Sequence, residues 1–244
     1  MSLIGIIASS KARGLPVSGA SLWLDASDAT TFTFSSGTRV SQWNDKSGNG
    51  YHFVQATGAS QPDRSATQNG KDAVKFKVSG SAYFMTNTSL GDWSASAFTF
   101  FAVIDFNEGE YSAIIGRNST AGLQLGANFT AVNFAISRIG QATASSNLQP
   151  TGSNADVAVY KSSGIGSGSI SVDFYKNGTA GSGALVLFSL GSGNKNIIGA
   201  SSDGTADQFG NNGYICELIL YPSQLSDTNR NSVEAYLKTK WGTP

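Results

Sequence analysis

Alternation of period two runs through this 244-residue chain, and it is the pattern that most limits the possible folds. Val74, Phe76 and Val78 face one way, with Lys75 and Lys77 between them. Val132, Phe134 and Ile136 alternate with Asn133, Ala135 and Ser137. Ile170, Val172 and Phe174 alternate with Ser171, Asp173 and Tyr175. Successive side chains of a strand point to opposite faces, so these segments read as strands with one dry and one wet face. The segment 98–106 differs. Phe98, Phe100, Ala102 and Ile104 share one face, while Phe101 and Val103 crowd the other, which predicts a central strand covered on both sides. Segments 156–161, 184–190 and 214–221 complete the set.

The connectors carry turn chemistry. Asn-Gly occurs at 49–50, 69–70, 177–178 and 212–213. Both residues tolerate the positive φ angles of tight hairpin turns, and Asn177-Gly178 between two good strands predicts a hairpin. The Gly-Ser stretches at 162–169, 181–183 and 191–193 are short and lie between strands, so they read as loops within one domain.

One helix stands out. Val233, Tyr236, Leu237 and Trp241 fall at i, i+3, i+4 and i+8 and form one apolar stripe. Ser226 is placed to cap its start, Asp227 lies in its first turn, Lys238 and Lys240 lie in its last, and Gly242 can close it. Many short strands and one terminal helix predict an all-β, two-sheet antiparallel jelly-roll sandwich with a C-terminal amphipathic helix, residues 18–244, behind an N-terminal arm, residues 1–17.

Charge narrows the partners. Sixteen basic and sixteen acidic residues give a net charge of zero, with no basic cluster. A nucleic-acid groove or an anionic membrane would call for such a cluster, so neither partner is expected. Neutrality also leaves little electrostatic defence against self-association, and a homo-oligomer is expected. The run Leu3, Ile4, Ile6, Ile7 is too short for a signal core or a membrane span. It reads as a segment that docks on its own domain or on a neighbouring subunit, where it would be an assembly anchor. The single cysteine, Cys216, sits in an apolar strand and reads as a small buried hydrophobe.

Catalytic signals are sparse. The one histidine, His52, follows a turn between Tyr51 and Phe53, and no Gly-x-Ser-x-Gly elbow occurs. Glu108 and Glu110 are the nearest approach to a glycosidase pair, but their Asn-Glu-Gly-Glu setting reads as a loop. The expectation is a non-enzymatic chain with no catalytic residues and no cofactor. Asp203 and Asp207 offer hard oxygen ligands for calcium without EF-hand spacing. Tyr111, Arg117, Gln208, Phe209 and Asn211 are candidate ligand-binding residues on exposed loops. Glu217 shares a strand face with Ile215 and Ile219 and needs a partner near the helix, because a lone buried carboxylate is costly.

Three segments together carry a resemblance. They are Ser21-Leu-Trp23-Leu-Asp25-Ala-Ser-Asp28, then Val40-Ser-Gln-Trp43-Asn-Asp45-Lys-Ser-Gly48-Asn49-Gly50, and the closing strand at 213–221 with its helix ending Lys240-Trp241-Gly242. They resemble the laminin-G-like, concanavalin-A-like jelly-roll domains. The leader Met1-Ser-Leu-Ile-Gly-Ile-Ile-Ala-Ser-Ser-Lys11 looks like that of tailed-bacteriophage virion proteins bearing such domains. The resemblance implies a virion structural protein, a capsid-decoration, tail or fibre component, assembled in the host cytoplasm and contacting other virion subunits through the arm. The alternative is an adhesin that binds a host-surface glycan. Trp23 and Trp43 read as core or edge plugs, and Asp45 as the acceptor of a turn.

Overall fold

The computed structural model describes residues 14–78, 81–106, 112–117, 123–127, 133–138, 143–152, 154–164, 169–182, 184–187, 195–200 and 213–244. Two antiparallel sheets lie face to face. In the first, strand Tyr214–Tyr221 is central. One of its edges pairs with Leu22–Asp25, in register Leu22 to Leu220 and Asp25 to Glu217, and then with Lys71–Lys75. Its other edge pairs with Phe98–Asp105, followed outward by Asp156–Ser162, Ser169–Lys176 and Ala184–Leu187. The second sheet runs Phe32–Ser36, Arg39–Trp43, Phe53–Val54, Met85–Asn87, Asn196–Ile198, Ser112–Arg117, Leu123–Ala127, Phe134–Arg138 and Thr143–Ser145. The sheets do not close into a barrel, and the fold is the all-β sandwich the alternation predicts.

The inner faces meet in an aromatic core. Phe100, Tyr160, Phe174 and Phe134 are buried and ring-packed, with centroid distances between 5.6 and 6.4 Å. Tyr160 spans the layers by donating to the carbonyl of Gly126 at 2.8 Å. Strand Phe98–Asp105 is buried at every position, as its two apolar faces require. Its second face, with Phe101 and Val103, lies in register with Ile219 and Glu217, which face the terminal helix.

The helix spans Asp227–Trp241. The Ser226 side chain accepts from the Asn229 amide, and Gly242, at φ 64°, closes the last turn. Val233, Leu237 and Trp241 are fully buried, while Tyr236 is half-buried. The predicted hairpin is present at 177–178 and a second one forms at 69–70, where Asn177 and Asn69 have φ of 51° and 48°. Two details depart from the alternation. Ala135 is buried where a wet face was expected. The strand at 71–75 ends before Phe76, and Lys77–Val78 pairs separately with Ser81–Ala82.

Residues 14–17 belong to the predicted arm, yet Leu15 and Val17 pack on the core, and the Tyr221 hydroxyl donates to the Val17 carbonyl at 2.8 Å. The anchor residues Leu3, Ile4, Ile6 and Ile7 lie outside the described residues. No helix among the described residues is long and apolar enough to cross a membrane.

Candidate functional site

The site grows from the alternation of strand Leu22–Asp25. Leu22 and Leu24 turn into the sandwich, so Trp23 and Asp25 turn toward the helix, in register with Ile219 and Glu217. The turn after strand Arg39–Trp43 holds this strand from the side. Asp45 accepts from the amides of Trp23 (2.9 Å), Ser47 (2.9 Å) and Tyr51 (3.1 Å). The Lys46 amide then donates to the Trp23 carbonyl at 2.8 Å. Asp45 is therefore the turn acceptor that its setting predicts. The backbone of Asp45 also donates to His52 Nδ1 at 3.0 Å, which gives the single histidine a structural role.

This scaffold delivers Lys46 onto Trp23. The ammonium lies 4.4 Å from the ring centroid and 2.8 Å from both Asp25 and Asp28. Asp28 is fixed as the cap of the short 3-10 turn Ala29–Thr31, accepting from the Thr30 amide at 3.1 Å. From the opposite side the last helical turn delivers Lys240. Its ammonium lies 2.7 Å from Asp25 Oδ1 and 2.7 Å from Glu217 Oε2.

Glu217 is the buried hub. Its carboxylate accepts from Trp23 Nε1 at 2.7 Å, Trp241 Nε1 at 2.6 Å and the Tyr236 hydroxyl at 3.1 Å, besides its contact with Lys240. Four donors, one from strand Leu22–Asp25 and three from the helix, thus converge on a side chain with no exposure. The partner expected for Glu217 near the helix is present four times over.

Three carboxylates and two ammonium groups share the cluster, and burial divides their behaviour. Burial pushes Glu217 above the usual carboxylate range, against the pull of Lys240. Burial also acts to raise Asp25, but Lys240 and Lys46 outweigh it and hold that carboxyl low. Asp28 is drawn to about 2 by the Lys46 hydrogen bond and then by Thr30. Burial disfavours the Lys46 ammonium, but Asp25 and Asp28 more than offset this and raise its pKa. Burial and the Glu217 charge push the Tyr236 hydroxyl far up, so it is a donor throughout the ordinary pH range.

Beside the cluster opens a cavity of about 650 Å³, lined by Trp23, Asp25, Asp28, Lys46, Tyr236 and Lys240 among others. Its lining thus combines aromatic, carboxylate, ammonium and hydroxyl side chains. Among the described residues, no group of three or more His, Cys, Asp or Glu side chains is arranged to hold a metal ion.

Of the residues predicted for ligand binding, Arg117 alone is among the described residues. Tyr111, Gln208, Phe209 and Asn211 lie outside the described residues, as do Asp203, Asp207, Glu108 and Glu110. Arg117 is a correction: it ends strand Ser112–Arg117 in the interior, and its guanidinium pairs with Asp92. It is a buried ion-pair residue, not a loop residue open to a ligand. Asp25, Asp28, Lys46 and Lys240 were missed as a group. Asp25 and Asp28 were visible only as part of a fold motif, and Lys240 only as a favourable charge at a helix end.

No family model and no curated protein matches the chain. Solved structures do. A Trypanosoma rangeli sialidase in complex with sialic acid superposes with a TM-score of 0.62 at 13% identity, covering 95% of this chain and 35% of the sialidase. An arabinofuranosidase complexed with arabinofuranosyl-alpha-1,2-xylobiose gives 0.58 at 16% identity, covering 92% of this chain and 60% of the other. The botulinum neurotoxin type G receptor binding domain gives 0.56 at 14% identity, covering 93% and 54%. This chain therefore spans about a third of the sialidase and somewhat over half of the other two. At such identities the likeness is one of fold. The expectation of a non-enzymatic chain is corrected to this extent: the same sandwich fold occurs within chains named sialidase and arabinofuranosidase. These structures do not bear on virion placement.

Proposed function

We propose that the chain is a carbohydrate-binding module whose ligand enters the cavity beside Asp28. The observation that carries this reading is the composition of the cavity lining, which brings Trp23 and Tyr236 together with Ser27, Asp28, Lys46 and Lys240. A sugar presents apolar C–H faces and a rim of hydroxyls, and a concave site with a few converging polar groups beside aromatic carbon meets both. The fold likeness to chains solved with sialic acid and with an arabinofuranosyl xylobiose supports the reading at the level of architecture.

The test is a glycan array with the full chain, followed by titration calorimetry on the best ligand. Asp28→Ala removes a solvent-facing acceptor, and Ala29→Trp narrows the mouth from an exposed position. Both variants should lose at least about tenfold in affinity, the worth of one good polar contact. A glycan bound equally well by both variants, or no glycan bound by the parent chain, overturns the assignment.

A further inference from the structure

The triad Asp25, Lys240 and Glu217 has a geometry that an ion-pair network alone does not call for. A primary amine lies one hydrogen bond, 2.7 Å, from a carboxyl group that is itself buried. A second carboxyl, fully buried, lies 2.7 Å from the same nitrogen. The aromatic side chains of Trp23, Tyr236 and Trp241 surround the group, and each directs its polar atom at Glu217. Held amine, held electrophile and adjacent proton carrier are the parts of an acyl-transfer site in which both reactants belong to the protein.

We propose that Lys240 and Asp25 condense spontaneously to an intramolecular isopeptide bond, with Glu217 carrying the proton. The steps balance without a co-reactant. The Lys240 ammonium first gives a proton to Glu217, leaving a neutral amine. The amine nitrogen attacks Asp25 Cγ and forms the new C–N bond. Lys46, 2.8 Å from Asp25 Oδ2, stabilises the negative charge that develops on the carboxyl oxygens. The C–O bond to one carboxyl oxygen then breaks. That oxygen departs as water with two of the three original ammonium protons, one of them returned by Glu217. The third proton stays on the amide nitrogen, and Glu217 ends as it began. Burial raises the Glu217 carboxyl, which suits it to hold the transferred proton, and entropy favours the step because folding has already brought the two groups together. Ionised Asp25, held low by its two lysines, is the resting state from which the reaction must start, so the condensation is expected to be slow and to follow folding.

The product would tie the strand Leu22–Asp25 covalently to the terminal helix. The experiment is intact-mass spectrometry on the full chain under denaturing conditions, followed by peptide mapping. The expected result is a mass lower than that of the sequence by one water. A branched peptide should join the segments containing Asp25 and Lys240, with tryptic cleavage lost at Lys240. Lys240→Arg and Glu217→Gln should each restore the full mass, and circular dichroism identifies which of them remain folded. A parent chain with the full sequence mass overturns the proposal, as does a water loss that maps elsewhere. A folded Glu217→Gln chain that still loses water at Asp25 and Lys240 overturns the role given to Glu217. None of these outcomes depends on whether a glycan binds.

Discussion

Trp241 Nε1 donates to Glu217 Oε2 at 2.6 Å across the seam between the terminal helix and the first sheet, and both side chains are fully buried. The same carboxylate accepts from Trp23 at 2.7 Å, so Glu217 joins the beginning and the end of the domain. Glu217→Ala should destabilise the chain by about 3–5 kcal/mol, because it leaves Lys240 and three donors facing an apolar gap. Urea unfolding followed by tryptophan fluorescence measures this. A loss below about 1 kcal/mol would mean water takes over the donors at little cost.

Trp241 contributes by burial as well as by its hydrogen bond, and two substitutions separate the contributions. Trp241→Ala should cost about 3–5 kcal/mol, the range for removing a buried indole. Trp241→Phe keeps most of the ring and should cost about 1–3 kcal/mol, mainly the lost indole donor to Glu217 Oε2, which keeps Lys240 as its partner. Equal losses in the two variants, by denaturant titration, would show that the hydrogen bond outweighs the packing.

Acid should weaken the fold through Asp28. Its folded pKa of about 2 lies below the ordinary 3.8 because Lys46 and Thr30 bond the ionised form. A lowered carboxyl contributes stability that is present above its unfolded pKa and lost as pH falls through its folded value. The window therefore runs from 3.8 down to about 2. Glu217, raised by burial, contributes with the opposite sign on the acid side. Asp28→Asn should flatten the decline of melting temperature across that window, and an unchanged slope would rule out Asp28 as its source.

Gly199 is fixed by space and by backbone together. Its φ is 84°, and an added Cβ would stand 2.0 Å from the ring of the buried Phe76. Gly199→Ala should cost about 2–4 kcal/mol from left-handed strain and overpacking combined. Differential scanning calorimetry should show a clear drop in melting temperature. Phe76→Leu in the same chain should recover part of it by making room.

Much of this fold was legible because its signals are local. Ser226 and Gly242 mark the helix ends through their own cap chemistry, and Asn177-Gly178 marks a hairpin through its own φ preferences. Phe101 and Val103, beside Phe100 and Ala102, announced a strand with two dry faces. Glu217 could be expected to find a partner because an apolar strand face will not hold a bare charge. The identity of those partners was not legible. Asp25, Lys46 and Lys240 meet through three elements distant in sequence, and no period or spacing links them. Lys238 and Lys240 look alike in sequence, yet Lys238 reaches the Asn177 carbonyl and only Lys240 enters the cluster. Arg117 misled for a related reason: beside Gly116 and Asn118 it reads as a loop cation, and its pairing with Asp92 exists only once the second sheet has formed.

The meeting of Trp23, Glu217 and Trp241 also sets how the domain would respond to a pull. Tension applied between residues 22 and 241 loads the ladder between Leu22–Asp25 and Tyr214–Tyr221 together with the contacts of the helix end. The side-chain part of that load crosses from the Leu22–Asp25 strand, through Glu217, to the helix. The resistance of the domain to such a pull is therefore concentrated where strand, central sheet and helix end meet, and a covalent tie from Asp25 to Lys240 would carry the load past those hydrogen bonds.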